Sequence, residues 1–586
     1  MLNIHPLIQQ LSKLRESSKE AVADANIVLD DELKNYLHIK RPVESELSAL
    51  IEKGNQSTQA LLILVCGNVG DGKSHLLSKL RKSKKLGEVL KAFKVFNDAT
   101  ESFSPSQTSN DSLRKILAPF AEGEITKGSD KVILAINLGT LSNFLAAHGE
   151  EFSSLRAFVT NKGIIDSDIN KLSVDDQDTH FNFVNFTNRH FFNLGAEGAL
   201  VEPLLDLLSK IVSDDPANPI YKSYLTTKAE HWAPFDPVMQ NYELLLKPAF
   251  RKVLAQLIVS CIIKEKQILS FRQLLNFVYD IIVPFPLAQI EQAAYGFTVN
   301  KMDVIKRLSY SLPYYLFENP NLSKTFHNLA LEDPAVRRYE GMDERIILMF
   351  TEIEPLEWIK SNYPDIFPLQ SGYEPEVKLD YNVISKAYLR YEFFSHPENK
   401  RYQDDYFQEF LQYLYAFNNE DSKGLRGVVE LVKSATYYWN GGTLEKKKII
   451  VPTVVKNSSY RIFKDLTIRG NLPTVDAFMG RELITEFRQE LLLSFSTGDF
   501  ESPPINIAID YALFVLLKNV ANGYRPNKID RYTYIGFDRF VEQLTFSSIE
   551  KKALFVDQIN FGQPLDYQFE FDEEYQEFTF TKITKS

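Results

Sequence analysis

The sequence predicts an α/β fold: a parallel β-sheet with helices, followed by a helical lid and a mainly helical C-terminal domain that ends in β-strands. Three observations predict it. Short apolar runs alternate with helical segments between residues 56 and 195, as in a parallel sheet with crossover helices. A glycine-rich motif directly follows the first of these runs. From about residue 196 the apolar residues are spaced three and four apart, which is typical of helices.

The glycine-rich motif lies in the stretch LLILVCGNVGDGKSHLLS, residues 61–78. It matches the pattern G-x-x-x-x-G-K-[ST], in which glycines turn the chain so that backbone N–H groups point at phosphate oxygens. In this pattern Lys73 supplies a positive charge to the β- and γ-phosphates, and the Ser74 hydroxyl ligates Mg²⁺. The motif predicts a P-loop NTPase (AAA-like) sheet that binds ATP and Mg²⁺. The predicted binding residues are Gly67, Asn68, Val69, Gly70, Asp71, Gly72, Lys73, Ser74 and His75.

Four apolar runs are the predicted strands of this sheet, at residues 61–66, 93–96, 132–136 and 181–186. Helical segments around 74–85 and 111–121 separate the first three strands, and a longer polar insert at 146–178 precedes the fourth. The alternative, a chance glycine turn, is disfavoured because both the strand before the motif and the helix after it are present. Ligands of parallel sheets bind at the carboxyl ends of the strands. We therefore expect the polar residues that follow each run to form the site.

The catalytic candidates depart from the usual hydrolase plan, in which an Asp and a Glu follow a buried strand. The run VILAI is followed by Asn137, which can orient a metal-bound water but carries no charge. Acids follow the second run instead, at Asp98 and Glu101, where the alternative is a capped turn with solvent-facing carboxylates. Asn188, after the fourth run, is a candidate for orienting the attacking water, and the alternative is an ordinary asparagine turn. We expect hydrolysis to be slow or to depend on a partner.

Three arginines are weaker candidates for contacting the phosphates. Within the stretch 268–284, Ser270 is the predicted N-cap of a helix and Pro284 its stop. Arg272 falls in the first turn of this helix, and a surface or capping role is the favoured alternative for it. Arg337 and Arg338 are candidates for acting on a neighbouring subunit. No H-E-x-x-H motif and no paired-aspartate nuclease signature stands out, so we expect neither a zinc site nor a nuclease site in this chain.

The sequence as a whole predicts four segments. They are an N-terminal helical segment at 1–55, the P-loop NTPase core at 56–195, a helical lid or middle domain at 196–372, and a mainly helical C-terminal domain at 373–586. Alternating residues at 553–583 predict strands near the end of this last domain.

The composition is that of a globular protein, with 44% hydrophobic and 24% charged residues. A net charge of −11 does not favour a protein that coats nucleic acid by itself. The two cysteines, Cys66 and Cys261, cannot form a disulfide framework. We find no signal peptide, and the longest apolar runs are too short to span a bilayer. These features predict a cytoplasmic protein without a membrane segment.

Several stretches of the chain resemble the DptF type of DNA phosphorothioation-dependent restriction protein. The densest similarity covers about residues 60–145, and NDATES and AINLGTL are more specific than the glycine-rich motif alone. The similar stretches are LSKLRESSKEAV (11–22), CGNVGDGKSHLLS (66–78), NDATESFSPSQT (97–108), LAINLGTLSNFL (134–145) and YRPNK (524–528).

This resemblance implies a role in bacterial defence. Such systems mark host DNA with backbone sulfur, and a restriction complex attacks DNA that lacks the mark. The DptF-type subunit is the P-loop component and works with DptG- and DptH-type partners, through which we expect contact with DNA. Three alternative functions stay open: a non-hydrolysing scaffold that nucleotide stabilises, a general AAA-like or signalling NTPase, and a metabolic phosphotransferase, which is disfavoured because no second substrate motif is found. Assembly as a homo-oligomer stays open as well.

Overall fold

The structure is a computed structural model of the 586-residue chain. It describes residues 5–15, 33, 36–67, 71–97, 109–165, 180–186, 189–230, 236–337, 341–351, 361, 380–399, 402–441, 447–452, 460–497, 503–547, 554–558, 567–572 and 574–582. Within these residues the fold is a mixed α/β fold that contains a four-stranded parallel sheet and many helices.

The parallel sheet is built from four strands in the order β2-β3-β1-β4. The strands are β1 (Leu61–Cys66), β2 (Lys94–Phe96), β3 (Lys131–Ile136) and β4 (Phe181–Asn185). All three pairings are parallel, and Cys66, the last residue of β1, pairs with Ile136 of β3 and with Asn185 of β4. The carboxyl ends of these strands therefore meet at one edge of the sheet.

Helices cover both faces of this sheet. The even-numbered residues of β1 pack in one core with helices Ser109–Leu117 and Leu138–His148. Its odd-numbered residues pack in a second core with helices Pro42–Asn55 and Lys73–Lys82. A strand buried on both faces must be apolar at every position, and all six residues of β1 are buried. This is why the strand could be recognised from the sequence as an uninterrupted apolar run.

The four predicted strands are confirmed to within one or two residues at each end. The predicted helix at 74–85 is two helices, Lys73–Lys82 and Lys84–Leu90. Its first helix ends because Ser83 leaves the helical conformation, and the Ser83 hydroxyl then caps the next helix by accepting from the Leu86 N–H. Helix Ser153–Asn161 lies within the segment that the sequence predicted to be a polar insert.

Most of the chain from residue 202 to residue 351 is helical, as the apolar spacing predicted. Ser270 caps helix Phe271–Ile282 through a reciprocal bond pattern with Gln273, so the predicted start of this helix is confirmed. The described α-helices between residues 5 and 395 are Pro6–Ser12, Pro42–Asn55, Lys73–Lys82, Lys84–Leu90, Ser109–Leu117, Leu138–His148, Ser153–Asn161, Glu202–Val212, Pro219–Ala229, Pro237–Leu246, Pro248–Lys264, Phe271–Ile282, Phe285–Ala288, Tyr295–Asn300, Val304–Ser309, Leu312–Glu318, Lys324–Leu331, Met342–Thr351 and Tyr381–Ser395.

The C-terminal part contains more β-structure than the sequence predicted. The helices here are Asp405–Asn418, Arg426–Trp439, Tyr511–Ala521, Lys528–Thr533 and Ile535–Ser547. The other strands among the described residues are β5 (Arg189–Gly195), β6 (Gly198–Leu200), β7 (Lys448–Val451), β8 (Tyr460–Asp465), β9 (Ile468–Asn471), β10 (Ile484–Glu486), β11 (Leu491–Thr497), β12 (Ile505–Ile509), β13 (Leu554–Gln558), β14 (Tyr567–Asp572) and β15 (Glu577–Lys582).

The expectation of a mainly helical stretch between 448 and 509 is therefore wrong, because β7 to β12 occupy much of it. The sequence pattern of a strand is missing in β11, where Leu491 and Leu493 are buried but Leu492 between them is 42% exposed. An exposed leucine removes the apolar–polar alternation that indicates a strand. The predicted strands near the C-terminus are confirmed, since β13, β14 and β15 belong to an antiparallel sheet of order β15-β14-β13-β8-β7.

The chain divides into two compact units. The first contains residues 1–193 and 201–403, and the second contains residues 194–200 and 404–586. The parallel sheet and the glycine-rich motif belong to the first unit. The four-segment division stays a prediction. Among the described residues, no helix is both long and apolar enough to cross a membrane.

Candidate functional site

The glycine-rich motif leads from β1 to helix Lys73–Lys82 at the carboxyl edge of the parallel sheet, and we call its described residues 67, 71 and 72 the glycine-rich turn. A Cβ atom added to Gly67 would lie 2.8 Å from Cβ of Phe186, closer than real Cβ atoms approach, so only glycine fits there. Gly72 has φ of +89° and immediately precedes the helix. Residues with a Cβ atom rarely adopt this conformation. The two glycines at the ends of the motif therefore have conformational and steric reasons to be glycine.

The side chains of Lys73 and Ser74 point back over the edge of the sheet. The Lys73 ammonium donates a hydrogen bond of 2.9 Å to the carbonyl oxygen of Gly67, so it lies across the mouth of the turn. The Ser74 hydroxyl, which is exposed, donates to the carbonyl oxygen of Asn97 at 3.3 Å. A lysine, a hydroxyl and the first N–H groups of a helix thus converge, which is an arrangement that can bind an anion.

The ends of β2 and β3 supply two asparagines beside this turn. Asn137 follows the last residue of β3, and the Gly67 N–H donates to the carbonyl of Ile136 just before it, at 3.3 Å. Asn97 follows the last residue of β2 and contacts Ser74 as described. The parallel register therefore brings the motif and both strand ends together, as the sequence predicted.

The two asparagine side chains differ in their hydrogen bonds. Asn137 Oδ1 accepts a bond of 2.7 Å from the Thr140 N–H and so caps helix Leu138–His148. Its amide group is left as a donor, but its oxygen already has this structural role. Asn97 Oδ1 is buried and has no hydrogen-bond partner among the residues that the structure describes. A buried acceptor without a partner is costly, and such an atom calls for an explanation.

Arg41 is a site residue that the sequence analysis missed. Its guanidinium donates a bond of 3.0 Å to the carbonyl oxygen of Asp71, inside the motif, and lies 5.1 Å from the centre of the Phe186 ring. Burial lowers the pKa of Arg41, the Asp71 carboxylate opposes that change, and the nearby Arg189 charge adds to it. Arg41 lies in the segment HIKRP, which the motif pattern does not include, so only its position in the fold reveals it.

A second cluster lies beside the first turns of the motif helix. The His75 ring is 5.6 Å from the ring of His38, whose Nε2 is 2.8 Å from Glu44 Oε2. Burial is the largest influence on the His38 pKa and lowers it, although the hydrogen bond to Glu44 opposes this. Burial raises the pKa of Glu44, but its bond to His38 and the charge of Lys79 outweigh burial and lower it. Neutral His38 therefore donates to ionised Glu44 at neutral pH.

The Cys66 thiol is at the carboxyl end of β1 but has no chemical role that the geometry supports. It is completely buried, and burial raises its pKa to about 12. The nucleophilic form of cysteine is the thiolate, so Cys66 is inert at neutral pH. Cys66 is therefore a core residue of the sheet.

A cavity of about 430 Å³ lies on the flank of the motif helix and not at the motif turn. None of residues 67–75 lines it, so the candidate site rests on the geometry of the turn. The lining residues are Lys40, Glu44, Ser45, Ser48, Ala49, Glu52, Lys79, Leu80, Ser83 and Leu86.

Several predicted site residues lie outside the described part of the chain: Asn68, Val69, Gly70, Asp98, Glu101, Asn188 and Arg338. Their roles stay predictions. Arg272 lies in the first turn of helix Phe271–Ile282, and no contact between it and the motif is present among the described contacts. Arg337 is exposed, and its backbone N–H donates to the carbonyl of Asp333.

No protein-family model matches the chain, and no curated protein matches it. The arrangement of the residues therefore carries the functional argument.

The YRPNK stretch, which contributed to the family resemblance, has a structural role in the second unit. Asn527 caps helix Lys528–Thr533, and Asp530 completes the reciprocal capping pattern. The Tyr524 hydroxyl donates to Asp530 Oδ2 at 2.8 Å. The cap accounts for Tyr524 and Asn527 of this stretch, together with Asp530, which lies two residues beyond it.

Proposed function

We propose that the chain binds ATP together with Mg²⁺ at the glycine-rich turn. The observation that carries the proposal is the convergence of the Lys73 ammonium, the Ser74 hydroxyl and the N-terminus of helix Lys73–Lys82 at the carboxyl edge of a parallel sheet. On binding, the β- and γ-phosphates replace the Gly67 carbonyl as the partner of Lys73. The backbone N–H groups at the start of the helix donate to phosphate oxygens.

Two features support Mg²⁺ as the metal that accompanies the nucleotide. The Ser74 hydroxyl is the ligand that the motif provides. The buried Asn97 Oδ1 lies on the residue whose carbonyl Ser74 contacts. Mg²⁺ in proteins keeps several of its waters, and a metal-bound water would donate to an acceptor of this kind. Bound Mg²⁺ would neutralise phosphate charge during phosphoryl transfer.

We further propose that hydrolysis, where it occurs, is slow in the isolated chain. Asn137 stands where a carboxylate would follow the strand beside β1, and its oxygen caps a helix. The acids proposed to assist are Asp98 and Glu101, which follow Asn97 in the sequence. The same observation about Asn137 favours a second candidate function, a scaffold that ATP stabilises without turnover.

The family resemblance extends the proposal to a biological role. We propose that the chain is the ATP-binding subunit of a phosphorothioation-dependent restriction complex that attacks unmodified foreign DNA, with DptG- and DptH-type partners. The sequence stretches around the motif support this, in particular NDATES and AINLGTL. The chain would act on DNA through the complex, since its net charge is −11.

Calorimetric titration of MgATP tests the binding proposal. We expect Lys73→Ala to weaken affinity about 100-fold or more, because a desolvated ammonium–phosphate contact is lost. Lys84→Ala is the matched control, since Lys84 is exposed and begins the next helix. Equal affinity of the wild type and Lys73→Ala would refute the proposal.

Phosphate release separates the ATPase from the scaffold. The assay compares the chain alone with the chain plus its partner subunits, with unmodified or phosphorothioated duplex DNA. Stimulation by unmodified DNA in the presence of the partners is the expected result. Nucleotide that raises the melting temperature but is recovered intact under every condition would establish the scaffold instead.

A further inference from the structure

The segment that precedes helix Pro42–Asn55 connects two parts of the first unit. We call residues 36–41 the arm. At its start, the Tyr36 hydroxyl is 3.1 Å from the Ser213 hydroxyl. The Lys210 ammonium donates to the carbonyl oxygens of Tyr36 and His38, at 3.2 Å and 2.5 Å. The arm is thus attached to helix Glu202–Val212 and to the residue that follows it.

The other end of the arm contacts the glycine-rich turn. Arg41 donates to the Asp71 carbonyl, and a Cβ atom added to Gly72 would lie 3.0 Å from Arg41 Nη2. The Arg41 guanidinium also packs over the ring of Phe186, the residue that makes Gly67 necessary. Arg41 therefore contacts both ends of the turn, directly at Asp71 and Gly72 and through Phe186 at Gly67.

The electrostatic setting of Arg41 favours an anion nearby. Arg41 is largely removed from water, which lowers its pKa, and the Arg189 guanidinium lowers it further, whereas the Asp71 and Glu44 carboxylates oppose this change. Arg189 is itself held by Glu46 and by the carbonyl of Asn185. Burial of a cation is less costly when a further negative charge lies nearby. Phosphate bound at the turn would supply that charge.

We propose that Arg41 is a positioning residue that holds the turn in its phosphate-binding shape and links nucleotide binding to helix Glu202–Val212 through the arm. The proposal rests on the proposed ATP binding. A guanidinium has five N–H donors in a rigid plane, so it can fix the Asp71 peptide while it stacks on Phe186. Coupling between two sites is reciprocal. If nucleotide binding stabilises the arm, removing the contacts of the arm with Lys210 must therefore weaken nucleotide binding.

The experiment measures dissociation constants of MgATP and of Mg²⁺-tripolyphosphate by calorimetry. The variants are Arg41→Ala, Arg41→Lys and Lys210→Ala. Arg114→Ala is the matched control, since Arg114 makes an exposed ion pair with Glu151 in the same unit. Hydrogen exchange of residues 36–45 is followed with and without MgATP in the wild type and in each variant.

Arg41→Ala is expected to lower the affinity for MgATP and for Mg²⁺-tripolyphosphate by the same factor, about tenfold, because a charge-assisted hydrogen bond to the turn is lost. Arg41→Lys keeps the charge without the planar fork and is expected to recover only part of this loss. Lys210→Ala is expected to lower the affinity for MgATP about threefold. In the wild type, MgATP should slow hydrogen exchange in the arm, and Lys210→Ala should reduce that protection.

Three results would overturn the proposal. The first is an Arg41→Ala affinity within about twofold of the wild type. The second is a loss of ATP affinity without a loss of tripolyphosphate affinity, which would mean that Arg41 contacts the base or ribose. The third is hydrogen exchange in the arm that MgATP does not change. If Arg41→Ala fails to fold, Arg41→Lys and Lys210→Ala still decide the question. Failure of the wild type to bind ATP would instead refute the proposed function itself.

Discussion

The ends of β2 and β3 are neighbouring parts of one sheet edge, and each ends in an asparagine. At the end of β3, the Asn137 oxygen accepts the bond that starts helix Leu138–His148. At the end of β2, the Asn97 oxygen is buried without a partner in the described part of the chain. The same residue type thus stabilises the fold in one place and costs stability in the other. A side chain kept at a cost to stability is a better candidate for function.

Replacing Gly67 with alanine changes the edge that both asparagines share, and we expect it to have the largest effect. The new Cβ would lie 2.8 Å from Cβ of Phe186, and overpacking of this kind costs about 1–3 kcal/mol. MgATP binding should be lost, since the turn must move. Thermal unfolding and calorimetry measure the two effects. Gly128→Ala is the control, because an added Cβ there has no atom closer than 3.8 Å. Equal behaviour of the two variants would contradict the prediction.

Removing the Asn97 amide tests the functional side of the comparison. Asn97→Ala deletes an acceptor whose burial without a partner costs about 1–3 kcal/mol, so the melting temperature should not fall. The Mg²⁺ concentration at which ATP binding is half-maximal should rise about tenfold, since an acceptor for a metal-bound water is lost. Titration of ATP at increasing Mg²⁺ measures this. A lower melting temperature with unchanged Mg²⁺ dependence would assign Asn97 to the fold alone.

Removing the Asn137 cap tests the structural side. Asn137→Ala should destabilise the first unit by about 1 kcal/mol, the usual cost of losing such a cap. Asn137→Ser, which can also cap a helix, should recover most of that stability. Urea denaturation gives the free energies of unfolding. If Asn137→Ser restored stability but phosphate release stayed lower than in the wild type, Asn137 would have a catalytic role through its amide, as the sequence analysis expected.

Acidification should destabilise the first unit through the cluster of His38 and Glu44. Of the four predictions in this comparison, this one has the smallest expected effect. Folding favours neutral His38 because its pKa is lowered from 6.5, so its contribution to stability is complete above pH 6.5 and decreases as the pH falls below it. The charged groups that face it are Glu44, Lys79 and Lys210. The Glu44 pKa is also lowered, and its contribution is lost only at more acidic pH.

The measurement is the melting temperature at pH 8 and at pH 5.5. We expect a decrease in the wild type that exceeds the decrease in His38→Asn by roughly 2 °C, since 1 kcal/mol shifts the melting temperature of a large domain by about 2–4 °C. Identical decreases would mean that other groups account for the pH dependence of this unit.

The sequence could predict the parallel sheet mainly from its two central strands, because β1 is buried at all six positions and β3 at five of six, and both are therefore apolar runs. The edge strands β2 and β4 are less buried. The sequence could also predict the motif turn, since the spacing of Gly67, Gly72 and Lys73 is local and is fixed by backbone conformation and charge. It failed between 448 and 509, where antiparallel strands have one exposed face and Leu492 breaks the alternation. When an apolar side chain is exposed, the local sequence pattern no longer shows which face of the strand points to the core.

The sequence alone determined the order of the strands and helices of the parallel sheet, the glycine-rich motif and the residues that come after each of these strands. The tertiary structure decided which of those residues meet. It gave Asn97 and Asn137 different roles, because the hydrogen bonds of each side chain depend on the groups that pack around it. It also brought Arg41 to the turn, although Arg41 lies thirty positions before Asp71. Contacts between distant positions depend on how helices and strands pack, and no local pattern records them.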